Sequence, residues 1–146
     1  MSVEILEEQM KVIIFQMHDE EYAIKVSEIQ SIERMQTFTR IPGTASFVKG
    51  VMNLRGVITP IIDLRQKIGL EEKESDETTR ILITANEELI LGLIVDGAND
   101  VLDIPVGKIE PTPEVVGGVE AHYLDGVVKL GTRLFSLINL EKVMQE

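Results

Sequence analysis

Phe47-Val48-Lys49-Gly50-Val51-Met52-Asn53-Leu54-Arg55-Gly56-Val57-Ile58-Thr59-Pro60-Ile61-Ile62-Asp63-Leu64-Arg65 reads as a β-hairpin. One strand rises through Val51, Asn53-Leu54-Arg55-Gly56 turns it, and the apolar run from Val57 returns. Gly56 is the structural turn residue, able to take the positive φ that a tight turn demands, and the Asn53 amide can brace that turn. Arg55 then stands at the hairpin tip, where its guanidinium fork suits a carboxylate on another chain. Pro60 has no N–H to give to a ladder, which predicts an edge or bulge position within the returning strand.

The rest of the chain has the same texture. Val12 to Phe15, Ile81 to Thr84, Leu89 to Val95, Val101 to Ile104 and Leu134 to Leu140 are short, rich in Val, Ile and Leu, and broken by Gly, Pro or Asp, the pattern of strands. Helix is confined to short pieces. Ser27-Glu28-Ile29-Gln30 has the form of a capping box with Val26, Ile29 and Ile32 on one stripe. Asp63 can cap Leu64 to Ile68 before Gly69, and Asn139 can do the same for Leu140 to Met144.

An internal repeat organises these runs. Lys11-Val12-Ile13-Ile14-Phe15 matches Arg80-Ile81-Leu82-Ile83-Thr84 at an offset of 69 residues, which also pairs Ala23 to Val26 with Gly92 to Val95, and Pro42 with Pro111. Farther along, the offset is 76. There Phe47 to Val51 matches Tyr123 to Val127, and Ile61 to Leu64 matches Leu137 to Leu140, so seven residues are inserted after Pro111. Two copies of so small a unit predict two β-barrels or curled sheets sharing one core, since neither buries enough surface by itself. The expected organisation is a single domain over 10–146, with lobe one at about 10–75, lobe two at about 76–146, strand exchange between them left open, and a tail at 1–9. The wholly polar stretch from Glu71 to Thr79 is the link between copies.

Composition narrows the function. The 146 residues carry 14 Lys+Arg against 25 Asp+Glu, a net charge of −11, and no Cys. Disulfides, thiolate metal sites and Cys nucleophiles lack their atom. Nucleic acid is disfavoured, because phosphate binding draws its affinity from Lys and Arg. The acidic first residues lack the basic flank and apolar run of a secretory signal, and no stretch approaches the roughly 20 apolar residues of a spanning helix. The chain reads as soluble and cytoplasmic, with no membrane insertion.

Catalytic and metal constellations are absent from the sequence pattern. His18 and His122 sit in turn-like surroundings outside any metal spacing or Ser/His/Asp motif. Asp96, Asp100 and Asp103 read as a solvated acidic edge, and the calcium-like run from Asp96 lacks its twelfth-position Glu, where Gly107 stands. No glycine-rich loop cradles a phosphate. No catalytic residue, metal or cofactor is expected.

The hairpin segment resembles the signature of the CheW family of chemotaxis coupling proteins, in which an Asn-Leu-Arg-Gly turn precedes a Pro-containing apolar strand. Ile41-Pro42, the block from Leu93 to Gly97 with Val101-Leu102 after it, Ile109 to Pro113, and Leu134 to Leu140 follow in family order, so the resemblance runs from about Met10 to Met144. It implies a mostly β fold of two five-stranded, SH3-like barrel lobes around a common hydrophobic core, with short helical segments. It also implies a non-enzymatic adaptor, peripheral at receptor arrays, joining the cytoplasmic tip of a chemoreceptor to the regulatory domain of the histidine kinase CheA. The family's receptor groove between lobes carries over to Asn53, Leu54 and Arg55, with Ile29 and Ile32 beside them. The kinase contact carries over to Glu110, Pro111, Pro113 and Val115. That kinase domain shares the fold, yet 146 residues leave no room for phosphotransfer or ATP-binding domains after two lobes. The alternatives are an adaptor of the same family in surface motility or transcription control, and a small-ligand-binding β-barrel sensor.

Overall fold

The computed structural model describes residues 8–85, 89–112, 115–116 and 119–145; for 115–116 the backbone is described and the side chains are not. In chain order the elements are β1 (Gln9–Met17), β2 (Glu20–Lys25), a 3-10 turn at Val26–Glu28, β3 (Ile29–Arg34), β4 (Val48–Leu54), β5 (Val57–Asp63) and α1 (Leu64–Lys67). There follow β6 (Arg80–Ala85), β7 (Ile90–Val95), β8 (Gly97–Pro105), a 3-10 turn at Val106–Lys108, and β9 (Ile109–Glu110). The last elements are β10 (Val115–Val116), β11 (Val119–Glu120), a 3-10 turn at Ala121–Tyr123, β12 (Leu124–Leu130), β13 (Arg133–Ile138) and α2 (Leu140–Met144). The inserted residues of the second copy fall in the region of the β10–β11 hairpin.

Each lobe is a curled sheet whose two edges belong to one bent strand path. The five-stranded sheet has the order β3-β6-β7-β5-β4, and past β3 the chain returns so that Thr39 bridges Val51 of β4 with two hydrogen bonds of 2.8 Å. The six-stranded sheet has the order β8-β1-β2-β13-β12-β9, where β9 is the continuation of β8 after its 3-10 kink. The sheets do not follow a division at residue 75. The five-stranded lobe is built from residues 29–95, a contiguous lobe, while the other takes β1 and β2 from the N-terminal end and the rest from 97–138, a split lobe. The first hairpin of each repeat lies in the sheet that holds the other repeat's last strands. Two parallel pairings at equivalent positions make this join: Ile61 opposite Gly92, and Leu137 opposite Ala23.

Side-chain alternation sorts the core into three clusters. On β1, Ile13, Phe15 and Met17 point into a shared core between the lobes, and Val12 and Ile14 into the split lobe's own interior. On β6, Leu82 joins the shared core while Ile81 and Ile83 fill the contiguous lobe. Strands covered on both faces read as unbroken apolar runs, which is why these segments showed no alternation.

Two expectations are corrected. Pro60 sits on a strand that is central in its sheet, between β7 and β4. It is tolerated because Val51 spends its N–H and carbonyl on Thr39, on the side away from β5, so the Val51–Pro60 pair exchanges no hydrogen bonds, and the ladder to β7 starts at Ile61. Ser27–Ile32 forms no capped helix: one 3-10 turn without a side-chain cap gives way to β3 at Ile29. Asp63 and Asn139 do cap α1 and α2, accepting from the backbone N–H of Arg65 (3.0 Å) and of Lys142 (3.0 Å).

Tyr22 lies in the shared core, stacked on Phe15 at 5.7 Å between ring centroids. Burial first, then the charges of Glu20 and Asp96, push its phenol from 10.0 up to about 12. A folded-state pKa above the unfolded one gives stability that is complete below pH 10.0 and lost as pH rises toward about 12. Tyr22→Phe is therefore expected to show a smaller fall in urea midpoint than the parent across that window, followed by far-UV circular dichroism; equal falls would contradict it.

Candidate functional site

The β4–β5 hairpin closes with Arg55 and Gly56 as a two-residue loop between Leu54 and Val57, both at positive φ (51° and 86°). That is the geometry of a type I′ turn, whose twist matches the flanking strands. Gly56 adopts it freely, while Arg55 holds a conformation that costs a non-glycine residue about 1 kcal/mol. Asn53 Oδ1 secures the turn by accepting from the Gly56 N–H at 2.7 Å. Leu54 is half-buried against the contiguous lobe's core, and the Arg55 side chain is 72% exposed, with Nη2 3.4 Å from Glu33 Oε2 on β3. The tip thus carries a guanidinium loosely tethered to its own lobe.

Ile29 and Ile32 lie on β3, three residues apart on a strand, a spacing that would ordinarily put them on opposite faces. A bulge between Ile29 and Ser31 resets the register, so Ile29 opposes Thr84 and Ile32 opposes Leu82. Both therefore share one face of the sheet. Ile29 packs on the shared core, and Ile32 stands at its margin, 41% exposed.

The split lobe repeats this arrangement. A bulge opposite Ile14/Phe15 places Ala98 across from Phe15 and Val101 across from Ile13, with Ala98 against the shared core and Val101 54% exposed. The offset of 69 residues carries Ile29 to Ala98 and Ile32 to Val101. Ile58 and Leu134, related by the offset of 76, are exposed near the starts of β5 and β13. Sequence reasoning passed over Ala98, Val101, Ile58 and Leu134; the repeat, applied to surface positions as well as core ones, was the signal that could have found them. Exposed apolar side chains at matching positions of both lobes are suited to gripping another protein.

Of the residues that the resemblance implies for the kinase contact, Glu110 is exposed on β9, where its strand pairs with Val127 of β12, and Pro111 is exposed beyond it. Val115 pairs through its backbone with Glu120 in the β10–β11 hairpin. Pro113 lies outside the described residues. The structure thus puts Glu110, Pro111 and Val115 on the split lobe, apart in the fold from Arg55 on the contiguous lobe's hairpin.

The buried charges are paired with one another. Asp96, expected as part of a solvated acidic edge, is instead 9% exposed and accepts from Arg65 Nη1 at 2.7 Å. Arg65 also forks onto Asp63, Nε to Oδ1 at 2.8 Å and Nη2 to Oδ2 at 2.9 Å. Burial by itself would lower the Arg65 pKa, but the hydrogen bonds and charges of Asp63, then Asp96, hold it raised. On the split lobe, Arg133 binds Glu21 at 2.7 Å and Asp100 at 3.4 Å. His18 and His122 are exposed, the first at the β1–β2 turn with its ring Nε2 2.6 Å from the Glu71 carbonyl. Among the described residues no group of three or more His, Asp and Glu is arranged to hold a metal, and no helix is long and apolar enough to cross a membrane.

Comparison with known proteins agrees with this geometry. The CheW-like domain family matches residues 11–146. The chemotaxis protein CheW of Bacillus subtilis (strain 168) is 41% identical over 136 residues, 93% of this chain and 87% of that protein. The chemotaxis protein CheW of Klebsiella aerogenes is 39% identical over 132 residues, 90% of this chain and 80% of that one. Among solved structures, the scaffolding protein TtCheW from Thermoanaerobacter tengcongensis superposes with a TM-score of 0.86 at 28% identity, covering 95% of this chain and 90% of that one. With its hairpin signature, its duplicated lobes and a family match over nearly its whole length, the chain belongs to the CheW family.

Proposed function

We propose that this protein is a non-enzymatic chemotaxis adaptor that couples the cytoplasmic tip of chemoreceptors to the regulatory domain of the histidine kinase CheA. The observation that carries the reading is the pairing of an Arg55-tipped hairpin with exposed apolar residues at equivalent places on both lobes, while the buried charges of the interior are spent on one another. An adaptor's output is binding free energy placed at separate surfaces. Once one surface is engaged, the second binding event becomes effectively intramolecular, and weak contacts add up to a stable assembly. Asn53, Leu54, Arg55, Ile29 and Ile32 serve the receptor in this reading, and Glu110, Pro111, Pro113 and Val115 the kinase. The protein works at the cytoplasmic face of receptor arrays, with no cofactor.

Two measurements test it. Membranes bearing receptor and CheA are expected to show higher kinase autophosphorylation with this protein than without it; equal activity would contradict the coupling role. Arg55→Glu is expected to weaken receptor-hairpin binding about tenfold, roughly 1.4 kcal/mol. Its unfolding free energy should change by less than about 1 kcal/mol, because the tip is exposed and its pair with Glu33 is long. Unchanged receptor affinity in the folded variant would remove Arg55 from the interface.

A further inference from the structure

Asp96 occupies the single residue between β7 of the contiguous lobe and β8 of the split lobe, and it is bound from every side. Its Oδ1 accepts from Arg65 Nη1 at 2.7 Å, and Arg65 belongs to α1, at the end of the contiguous lobe's β5. Its Oδ2 accepts from the His18 N–H at 2.7 Å, and its own N–H donates to the Gln16 carbonyl at 2.9 Å, both on the split lobe's β1–β2 hairpin. Its carbonyl accepts from Thr78 Oγ1 of the link between copies at 3.0 Å. Behind it, Arg65 is 2% exposed and Asp63 0% exposed.

The duplication sharpens the point, because the second copy has no such network. The repeat offsets carry Asp63, Arg65 and Asp96 to Asn139, Glu141 and Ser27, and the Asn139 amide turns to Asp125 of its own lobe at 2.8 Å. Where α2 meets the contiguous lobe, Phe47, Val48, Ile62, Val143 and Met144 line a cleft of about 580 Å³, and the polar tie at its edge is an exposed hydrogen bond from Lys67 Nζ to the Gln145 carbonyl at 2.8 Å. Apolar contact is non-directional and tolerates sliding. A buried guanidinium held in a planar fork between two carboxylates is satisfied in one geometry, and displacement strands charge away from water.

We infer that the Asp63–Arg65–Asp96 network is a brace that fixes the angle between the lobes, making Arg65 and Asp96 positioning residues for binding surfaces carried on different lobes. The brace stands on geometry by itself; its consequence for coupling rests on the adaptor reading.

The absence of Cys allows spin labels at Gln36→Cys and Lys129→Cys, exposed positions on the contiguous and split lobes. Electron–electron distance measurement is expected to give a narrow distribution in the parent and one at least twice as wide in Asp96→Asn. That substitution keeps an acceptor for His18 and the Arg65–Asp63 fork. Arg65→Lys, which keeps the charge and loses the fork, should widen it similarly, and Asp100→Asn, whose Arg133 partner lies in its own lobe, should not. A parental width in either folded brace variant overturns the inference. So does failure of both to fold, which would make the network a folding requirement and no positioning device. With widening, Asp96→Asn should bind a receptor hairpin and the CheA regulatory domain singly with affinities within twofold of the parent, yet assemble both together at least fivefold less. Unchanged joint assembly overturns the coupling claim, whereas a parent that binds neither partner sinks the adaptor reading and leaves the distance result standing.

Discussion

Arg65→Ala is expected to lower the unfolding free energy by about 3–5 kcal/mol, the cost of breaking a buried ion pair from one side. The loss exceeds that of the contacts themselves, because Asp63, 0% exposed, would be left without its fork partner and Asp96 without its Arg65 partner. For a domain of this size, a loss of this order lowers the melting temperature by about 10 °C. Urea unfolding followed by circular dichroism gives the value. The triple variant Arg65→Met, Asp63→Asn, Asp96→Asn, which removes all three charges and keeps a capping acceptor for α1, is expected to recover part of the loss, since no uncompensated buried charge is left. A loss below about 1 kcal/mol in Arg65→Ala would show that water reaches these carboxylates and that the network is weakly desolvated.

Gly50→Ala should be comparably damaging for a different reason. Gly50 sits at a bulge on β4 with φ of 149°, and a Cβ there would lie 2.0 Å from the Thr39 carbonyl oxygen and 2.7 Å from its carbon. These are backbone atoms of the very segment whose bridge to Val51 brings the strand path round to the far edge of the sheet. Neither side can yield without breaking that bridge, so a destabilisation of about 3–4 kcal/mol is expected, above the usual cost of overpacking. Gly126, its equivalent on β12, would place a Cβ 2.6 Å from the Glu110 carbonyl oxygen, and Gly126→Ala should cost about 2 kcal/mol or more by the same measurement. Gly131, at φ of 61° with nothing within 4 Å, isolates the backbone term, and Gly131→Ala should cost about 1 kcal/mol. Equal effects at all three positions would refute the close-packing explanation.

Features encoded by neighbouring residues were legible before the fold was seen. The signature hairpin, the turn braced by Asn53, and the caps at Asp63 and Asn139 each need a partner within three residues. The repeat was legible because duplicated strands keep their apolar pattern. What it could not reveal is which sheet each hairpin joins, since β1 and β6 share an apolar pattern and that pattern does not name a destination. Ile29 and Ile32 imitated a helical stripe because a bulge supplies the missing residue of a strand period. Pro60 argued for an edge because a sequence does not display on which side of a strand an N–H would have pointed. Asp96, read as solvent-facing, was the largest misreading. Its guanidinium partner lies 31 residues away, and no local pattern distinguishes a buried carboxylate from the solvated ones around it.

The interchange of hairpins also sets an order of events as the polypeptide leaves the ribosome. Residues 29–95 hold every strand of the contiguous lobe, so that lobe can be completed while the remainder is still being made. The β1–β2 hairpin emerges before that lobe, yet β2 pairs with β13, which is made well after it. It must wait, apolar on both faces, until β13 has been made, and closing contacts so distant along the chain is intrinsically slow. The nascent protein therefore has its greatest need of chaperone protection at the β1–β2 hairpin.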